Sequence, residues 1–198
     1  MNLIERVKNI LITPKTEWEV INNETATIGS VFTGYVLPLS IVSCVGTILS
    51  GLLFTGRFMS LGYTIGIAVV GIIVSLILFY VTVLIFDALA PSFGSEKNQG
   101  KSAQTVAYSY TPSYIAGLLS FIPVLGWILP FAAWVYGVYI MYLGLGPMKK
   151  TPEDKKVVYL LVTYVILIAI YFILTAILIG IVVAAIFGAA GGISSLRA

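Results

Sequence analysis

The stretch that decides the fold runs from Asp87 to Pro112 and reads DALAPSFGSEKNQGKSAQTVAYSYTP. A long apolar run leads into Asp87. After a polar loop, a second run begins that is rich in tyrosine and is interrupted by Pro112. Outward from this stretch, most of the chain consists of apolar segments long enough to form membrane-spanning helices. The stretch therefore predicts a polar loop that separates two halves of a helical membrane protein.

The composition is that of a protein that crosses the bilayer several times. The chain has 198 residues, of which 59% are apolar and 10% charged, whereas about 25% of residues are charged in a soluble domain. We therefore predict an all-α fold, a polytopic membrane helical bundle. The net charge of +3 is spread over the loops, so no nucleic-acid partner is expected.

The chain lacks the residues on which most enzyme sites depend. It contains no histidine and a single cysteine, Cys44. A disulfide within the chain, a histidine-based catalytic triad, a zinc site with histidine ligands and a Cys-x-x-Cys redox site are all excluded. The sequence therefore predicts that the protein is not an enzyme and that it uses no metal or cofactor.

Five apolar runs predict five transmembrane helices. They span Val31–Phe54, Thr64–Leu89, Val106–Ile122, Val124–Leu145 and Val157–Phe187. About 20 residues cross the bilayer core, so four of the runs are long enough, whereas the third is shorter and more polar. The third run either crosses the membrane or forms a re-entrant hairpin with the fourth, and we predict that it crosses.

Residues 1–30 are predicted to form a cytoplasmic amphipathic segment ahead of a five-helix membrane domain at 31–198. Apolar residues at helical spacing occupy one face of its first helix: Leu3, Ile4, Val7, Ile10 and Leu11. Such a helix lies on the membrane surface or packs on the protein's own loops, and we predict the membrane surface. Trp18 is expected at the depth of the lipid headgroups, where tryptophan acts as an interfacial anchor.

The distribution of basic residues predicts the orientation. One side of the membrane receives nine of them: Arg6, Lys8, Lys15, Lys97, Lys101, Lys149, Lys150, Lys155 and Lys156. The opposite side has only Arg57 and Arg197. Because loops rich in lysine and arginine stay in the cytoplasm, the amino terminus is predicted inside and the carboxyl terminus outside. A re-entrant third run would move the Lys149–Lys156 loop to the opposite side, so the same rule argues against it.

Asp87 is the one ionisable side chain that the sequence places inside or near a span. A charged acid costs about 3 kcal/mol at the bilayer centre and less near the interface, and the end of its own helix also disfavours it. It therefore needs a partner, for which Lys97, Lys101, a tyrosine hydroxyl or water are candidates. Asp87 is either an interfacial acid that holds the loop in place or a site for a proton or cation.

The third run carries the rest of the candidate polar site: Gln104, Tyr108, Tyr110, Thr111 and Pro112. Gln104, Tyr108 and Thr111 fall on one face of the helix. Pro112 has no backbone N–H, so it leaves the Tyr108 carbonyl without its helical hydrogen-bond donor. Such a face has to point to protein or water rather than lipid. It lines a cavity, or it packs against Asp87 or the tyrosines of the fourth run. We expect Asp87 to meet the segment Tyr108–Pro112.

Small residues four apart mark one face of the fifth run: Ala176, Gly180, Ala184 and Gly188. Small side chains allow helix backbones to approach closely in lipid. The pattern predicts a helix-packing face, either within the bundle or between copies of the chain in a homo-oligomer.

Four stretches resemble a known family. They are VKNILITP at Val7–Pro14 followed by Trp18, DALAPSFG at Asp87–Gly94, AYSYTP at Ala107–Pro112, and WVYGVYIMYLGL at Trp134–Leu145 leading into TPEDK at Thr151–Lys155. In these stretches the chain looks like a prokaryotic member of the Ypt/Rab-GTPase-interacting protein (YIP) family. The resemblance implies five spans and a cytoplasmic amino terminus.

The resemblance implies a role in membranes without a reaction. Eukaryotic members of the family are implicated in early secretory traffic and bind prenylated small GTPases and one another. This chain lacks their long cytoplasmic amino-terminal region and its Asp-Leu-Tyr-Gly-Pro motif, so GTPase binding is not expected. We expect a bacterial inner-membrane protein that contacts lipid and a membrane-protein partner or a second copy. Its predicted function is a membrane-organising or partner-binding scaffold; the alternative is a small transporter or channel with a polar site around Asp87 and the third helix.

Overall fold

The computed structural model describes the backbone of residues 2–55 and 61–195, and the side chains of residues 2–54, 64–66, 68–174 and 176–177. Throughout the described backbone the regular structure is helical, with no strand, so the predicted all-α class is confirmed. Arg57 and Arg197, on which part of the orientation argument rests, lie outside the described residues.

The chain begins with two short helices, α1 (Leu3–Ile12) and α2 (Pro14–Asn22), which we call the N-terminal hairpin. The side chain of Asn2 caps α1 by accepting a hydrogen bond from the backbone of Ile4 at 3.3 Å. Pro14 opens α2, where its missing N–H leaves no helical hydrogen bond unmade. Thr13 and Pro14 therefore separate the two helices.

Long helices follow the hairpin. The first long segment comprises α3 (Ile28–Val31), a wide π-type turn at Phe32–Val36 and α4 (Leu37–Ser50). Then come α5 (Leu61–Leu89), α6 (Gln99–Ser109), α7 (Thr111–Leu118), α8 (Leu125–Lys149) and α9 (Glu153–Ser195). Short 3-10 turns continue α5 and α7, at Ala90–Phe93 and Leu119–Phe121.

Four helical segments among the described residues are long and apolar enough to cross a membrane: Ile28–Phe54, Thr64–Phe93, Leu125–Lys149 and Glu153–Leu174. They correspond to the first, second, fourth and fifth predicted runs. The sequence predicts a third run over Val106–Ile122 that Pro112 interrupts. In the structure this run starts earlier, at Gln99, and divides at Tyr110 into α6 and α7. The physical cause is Pro112, which cannot donate a helical hydrogen bond. A count of five membrane crossings stays a prediction.

The divided third run lies beside α8 along most of that helix. Lys149, the last residue of α8, bonds to Ser102 near the start of α6. Further along, Gly137 approaches the carbonyl of Ser109, and Gly126 approaches that of Ser120. The α6–α7 pair and α8 are therefore antiparallel neighbours of similar extent.

The chain divides into two compact units, residues 1–160 and 161–198. All clusters and cavities described below belong to the first unit. The second contains most of α9, including the predicted packing face. Ala176 is exposed there, whereas the side chains at Gly180, Ala184 and Gly188 lie outside the described residues.

The closest helix contact that depends on a glycine is between α4 and α7. A Cβ atom at Gly46 would collide with the backbone carbonyls of Gly117 and Leu118. We expect Gly46→Ala to lower the free energy of unfolding by about 3 kcal/mol, since rigid backbone cannot move aside as a side chain can. Reversible unfolding in mixed detergent micelles measures the change.

The matched control for that substitution is Gly66→Ala in α5, where a Cβ atom would meet nothing within 4 Å. This variant should be as stable as the parent or slightly more stable, because alanine favours the helix. Equal losses at both positions would contradict the α4–α7 contact.

Candidate functional site

A buried ion pair joins the end of α5 to the end of α8. The Lys149 ammonium donates to Asp87 Oδ1 at 2.9 Å, and the Lys149 side chain is 0% exposed. The same carboxylate oxygen accepts from the Ser102 hydroxyl and from the Asn98 backbone N–H, each at 2.8 Å. Lys149 also donates to Ser102 Oγ at 2.7 Å. We call these four residues the Asp87 cluster.

The local folding of α6 explains why a carboxylate is tolerated here. Asn98 caps α6, with its side chain accepting from the Lys101 backbone at 3.0 Å. Asp87 therefore faces a helix amino terminus, where N–H groups and the helix dipole favour negative charge. Lys149 lies at the carboxyl terminus of α8, where the helix dipole favours positive charge. These two helix ends offset the unfavourable position of Asp87 at the end of its own helix.

The loops beside the Asp87 cluster are bonded to each other. The backbone N–H of Glu96 donates to the carbonyl of Lys149 at 2.8 Å. The hydroxyls of Ser95 and Thr151 are also 2.8 Å apart. The loop after α5 and the loop after α8 are thus bonded to each other next to the Asp87 cluster.

The charged partner of Asp87 is Lys149, which is not among the candidates that the sequence suggested. Lys101 instead donates to the backbone carbonyls of Asn22, at 2.5 Å, and Glu24, at 3.2 Å. Partial burial lowers the pKa of Lys101, and the nearby Glu24 carboxylate opposes that effect. Lys101 therefore holds the end of the N-terminal hairpin against α6.

The polar residues of the third run point into protein, as their pattern predicts. The Thr111 hydroxyl donates to the Tyr108 carbonyl at 2.6 Å, which satisfies the acceptor that Pro112 leaves without a helical donor. The Thr111 hydroxyl has only one hydrogen, which it gives to Tyr108. The Tyr35 hydroxyl, 2.6 Å from Thr111 Oγ1, therefore donates to Thr111. Pro112 itself is buried in the bundle.

The segment Tyr108–Pro112 meets α5 at Thr82, five residues before Asp87, and not at Asp87 itself. The Thr82 hydroxyl lies 3.1 Å from the Tyr110 hydroxyl. Tyr108 instead packs against Tyr35 and Trp18, with ring centroids 4.6 Å and 6.2 Å apart, respectively. The residues predicted as one polar site therefore belong to separate contacts.

Trp18 connects the N-terminal hairpin to α8. Its side chain is 0% exposed, and its indole N–H donates to the carbonyl of Ile140 at 3.0 Å. Gly144 leaves room for the ring, since a Cβ atom there would lie 2.8 Å from Trp18 Cε2. The indole nitrogen therefore has its partner inside the protein, whereas the depth of Trp18 at the lipid headgroups stays a prediction.

A second buried charge cluster holds the hairpin together. The Arg6 guanidinium, nearly fully buried, binds the carboxylates of Glu17 and Glu24. It also lies over the ring of Tyr108, 5.3 Å from the centroid, a cation–π arrangement. The predicted membrane-facing helix α1 thus also packs on the protein, while Ile4 remains 75% exposed and Ile12 67%.

These contacts place the N-terminal hairpin, the α5–α6 loop and the α8–α9 loop in the half of the first unit that contains the second half of α8, which we call the basic end. Its exposed basic residues are Lys8, Lys15, Lys97, Lys150 and Lys155. The structural roles of Arg6, Ser102 and Lys149 were not predicted from the sequence. Lys149 could have been found, because it ends an apolar run on the same predicted side as Asp87.

Comparison with protein families identifies the family of the chain. A family profile described as Yip1 domain matches residues 8–177, which is most of the chain. No curated protein and no solved structure matches the chain. The profile covers the N-terminal hairpin from Lys8, the Asp87 cluster and the helices described above. The chain therefore belongs to the Yip1 domain family of membrane proteins.

Proposed function

We propose that this protein is a non-enzymatic membrane scaffold that presents its rigid basic end to membrane or protein partners. The observation that carries the proposal is the buried Asp87–Lys149 pair. A proton or cation site has to gain and release charge, whereas Asp87 Oδ1 already accepts three hydrogen bonds. Breaking such a pair leaves an uncompensated buried charge, which supports a structural role for Asp87.

The proposal includes the predicted topology, with five crossings, a cytoplasmic amino terminus and an external carboxyl terminus in a bacterial inner membrane. It is supported by the exposed lysines gathered at the basic end, since cytoplasmic surfaces carry such an excess. It is also supported by α6–α7 lying beside α8 along most of that helix. A reporter fused to the carboxyl terminus that is active only outside the cytoplasm tests the orientation.

Site-specific cross-linking tests the scaffold role. A photo-reactive residue at exposed Lys8 or Lys15 should give discrete adducts in living membranes, identified by mass spectrometry as a second copy or a membrane-protein partner. The control position is Trp127, which is 89% exposed at the opposite end of α8. Adducts equally abundant at all three positions would contradict a binding surface at the basic end.

A second candidate, a small transporter or channel, is favoured by one observation. A cavity of about 220 Å³ lies between α4, α5 and α7 within the spans. Its polar lining residues are Ser40, Ser43, Cys44, Thr47, Ser75 and Tyr114. Hydroxyl groups at this depth suit water or an uncharged polar solute. Asp87 is not among these residues, so this candidate no longer depends on it.

Cys44, the only cysteine in the chain, separates the two candidates. For a scaffold, we expect a membrane-impermeant thiosulfonate to leave Cys44 of the reconstituted protein unmodified for hours, because bilayer and protein enclose the cavity. We also expect no turnover-like ion or solute flux in proteoliposomes. Rapid modification together with such flux would reject the scaffold in favour of the transporter. Cys44→Ser controls for labelling elsewhere.

A further inference from the structure

A polar cavity of about 360 Å³ lies at the basic end, between α1, the segment before α3, the first turns of the first span and α6. Its polar side chains include Arg6, Glu24, Tyr35, Gln104 and Tyr108. Part of its wall is the beginning of the Ile28–Phe54 span, and part is α1, which precedes that span. The cavity therefore lies at the level where the chain enters the membrane, which is the level of the lipid headgroups.

A residue that lines the cavity carries a hydrogen-bond acceptor without a donor. Gln104 is 1% exposed, and its side chain hydrogen-bonds to Tyr108. With the amide in this orientation, its Oε1 meets no hydrogen-bond donor in the described part of the chain. An unsatisfied buried acceptor costs about 1–3 kcal/mol, so a ligand that brings an N–H group gains what the protein lacks. The Arg6 N–H groups, by contrast, already bind Glu17 and Glu24. The unmet requirement is thus for a donor, such as a primary ammonium.

The charges that line the cavity balance, since they are those of Arg6 and Glu24. Each has one further partner outside the lining: Arg6 binds Glu17, and the Glu24 backbone carbonyl accepts from Lys101. A cluster with equal charges of each sign does not attract a simple anion or cation over long range. It suits a ligand that carries both signs, with its cationic part near Glu24 and its anionic part near Arg6.

An apolar surface continues from the cavity into the membrane. Ile41, Val45 and Leu49 are exposed on α4 and lie four residues apart, so they share one face of the helix. Within a bilayer this face contacts acyl chains. A ligand with a polar head and acyl chains therefore matches both the cavity and the helix that leads from it.

We propose that the cavity binds the phosphoethanolamine headgroup of phosphatidylethanolamine from the surrounding leaflet. The ammonium would donate to Gln104 Oε1 and the Glu24 carboxylate, and the phosphate would face Arg6. A choline headgroup carries the same charges but no N–H donor, so it cannot satisfy Gln104. This inference concerns a lipid ligand and does not depend on the scaffold proposal.

Native mass spectrometry of the full-length protein tests the lipid preference. The delipidated protein is offered phosphatidylethanolamine, phosphatidylcholine and phosphatidylglycerol with identical acyl chains. We expect phosphatidylethanolamine to bind about tenfold more tightly than phosphatidylcholine, the effect of one hydrogen bond to a charged donor. Equal binding of these two lipids, or preference for phosphatidylglycerol, would overturn the proposal.

A pair of variants locates the site. Gln104→Met keeps a side chain of similar size without the acceptor, and its preference for phosphatidylethanolamine over phosphatidylcholine should fall to about one. Its thermal stability should be retained or raised, because the unsatisfied acceptor is gone. Gln99→Met changes an exposed glutamine of the same helix and should leave the tenfold preference unchanged. A preference that survives in Gln104→Met would overturn the assignment.

A soluble competitor separates the two sources of the headgroup. Glycerophosphoethanolamine carries the same polar group without acyl chains. If the ligand is a lipid, this compound should displace phosphatidylethanolamine only at far higher concentration. Displacement at equal concentration would identify a soluble ligand and overturn the membrane part of the proposal.

Discussion

Replacement of Lys149 with methionine is expected to lower the free energy of unfolding by about 3–5 kcal/mol, the usual effect of removing one partner of a buried ion pair. The substitution keeps much of the volume of the side chain but leaves the Asp87 carboxylate without its counter-charge. The hydroxyl of Ser102 and the N–H of Asn98 remain, and neither carries a charge. Reversible unfolding of the purified protein in mixed micelles measures the loss.

Two further variants show whether the loss comes from the pair. Combining Lys149→Met with Asp87→Asn removes both charges and should recover most of the stability, because an uncharged pair needs no counter-ion. Lys150→Met alters the neighbouring lysine, whose side chain is 71% exposed and binds Glu96, and should cost less than about 1 kcal/mol. Losses of similar size at Lys149 and Lys150 would contradict a buried Asp87–Lys149 pair.

Trp18→Ala is expected to cost about 3–5 kcal/mol, the range for truncating a fully buried large aromatic side chain. It also removes the hydrogen bond to the Ile140 carbonyl. Because Trp18 connects the N-terminal hairpin to α8, the loss should appear there first. Hydrogen exchange of the α2 backbone should become faster by orders of magnitude, and trypsin should cleave after Lys15 more readily.

The chain offers a matched control in Trp127, which is 89% exposed. Trp127→Ala should leave exchange in α2 at the parent rate. Trp18→Phe keeps an aromatic ring in the pocket but lacks the N–H donor, so we expect a smaller loss of about 1–2 kcal/mol. An unchanged exchange pattern in Trp18→Ala would show that the hairpin is held by other contacts.

Much of the architecture could be predicted from local features. The long apolar runs indicate α4, α5, α8 and α9 because a bilayer demands about 20 apolar residues per crossing. The mixed polarity around Gln104 indicates a helix that lipid cannot surround, and the structure buries every residue from Ser102 to Ser109. Each of these inferences needs only neighbouring residues.

The pairings could not be predicted in the same way, since they join distant positions. Lys149 and Asp87 are 62 residues apart, and Trp18 and Ile140 are 122 apart. The positive-inside rule counts every lysine that follows an apolar run, and it does not distinguish an exposed lysine such as Lys150 from a buried one such as Lys149. A tryptophan before a span likewise suits a headgroup layer and an internal pocket. The packing of α8 decides between these alternatives.

The dependence of both contacts on α8 has a consequence for biosynthesis. A ribosome adds about 5–20 residues per second, so about 3–12 seconds pass between the synthesis of Asp87 and that of Lys149. During this interval the acid at the end of α5 has no counter-charge, and Trp18 has no pocket. The amino-terminal half therefore waits, incompletely assembled, for the last turns of α8. We therefore expect chains that stop before residue 149 to be cleaved by proteases more readily than the full-length chain.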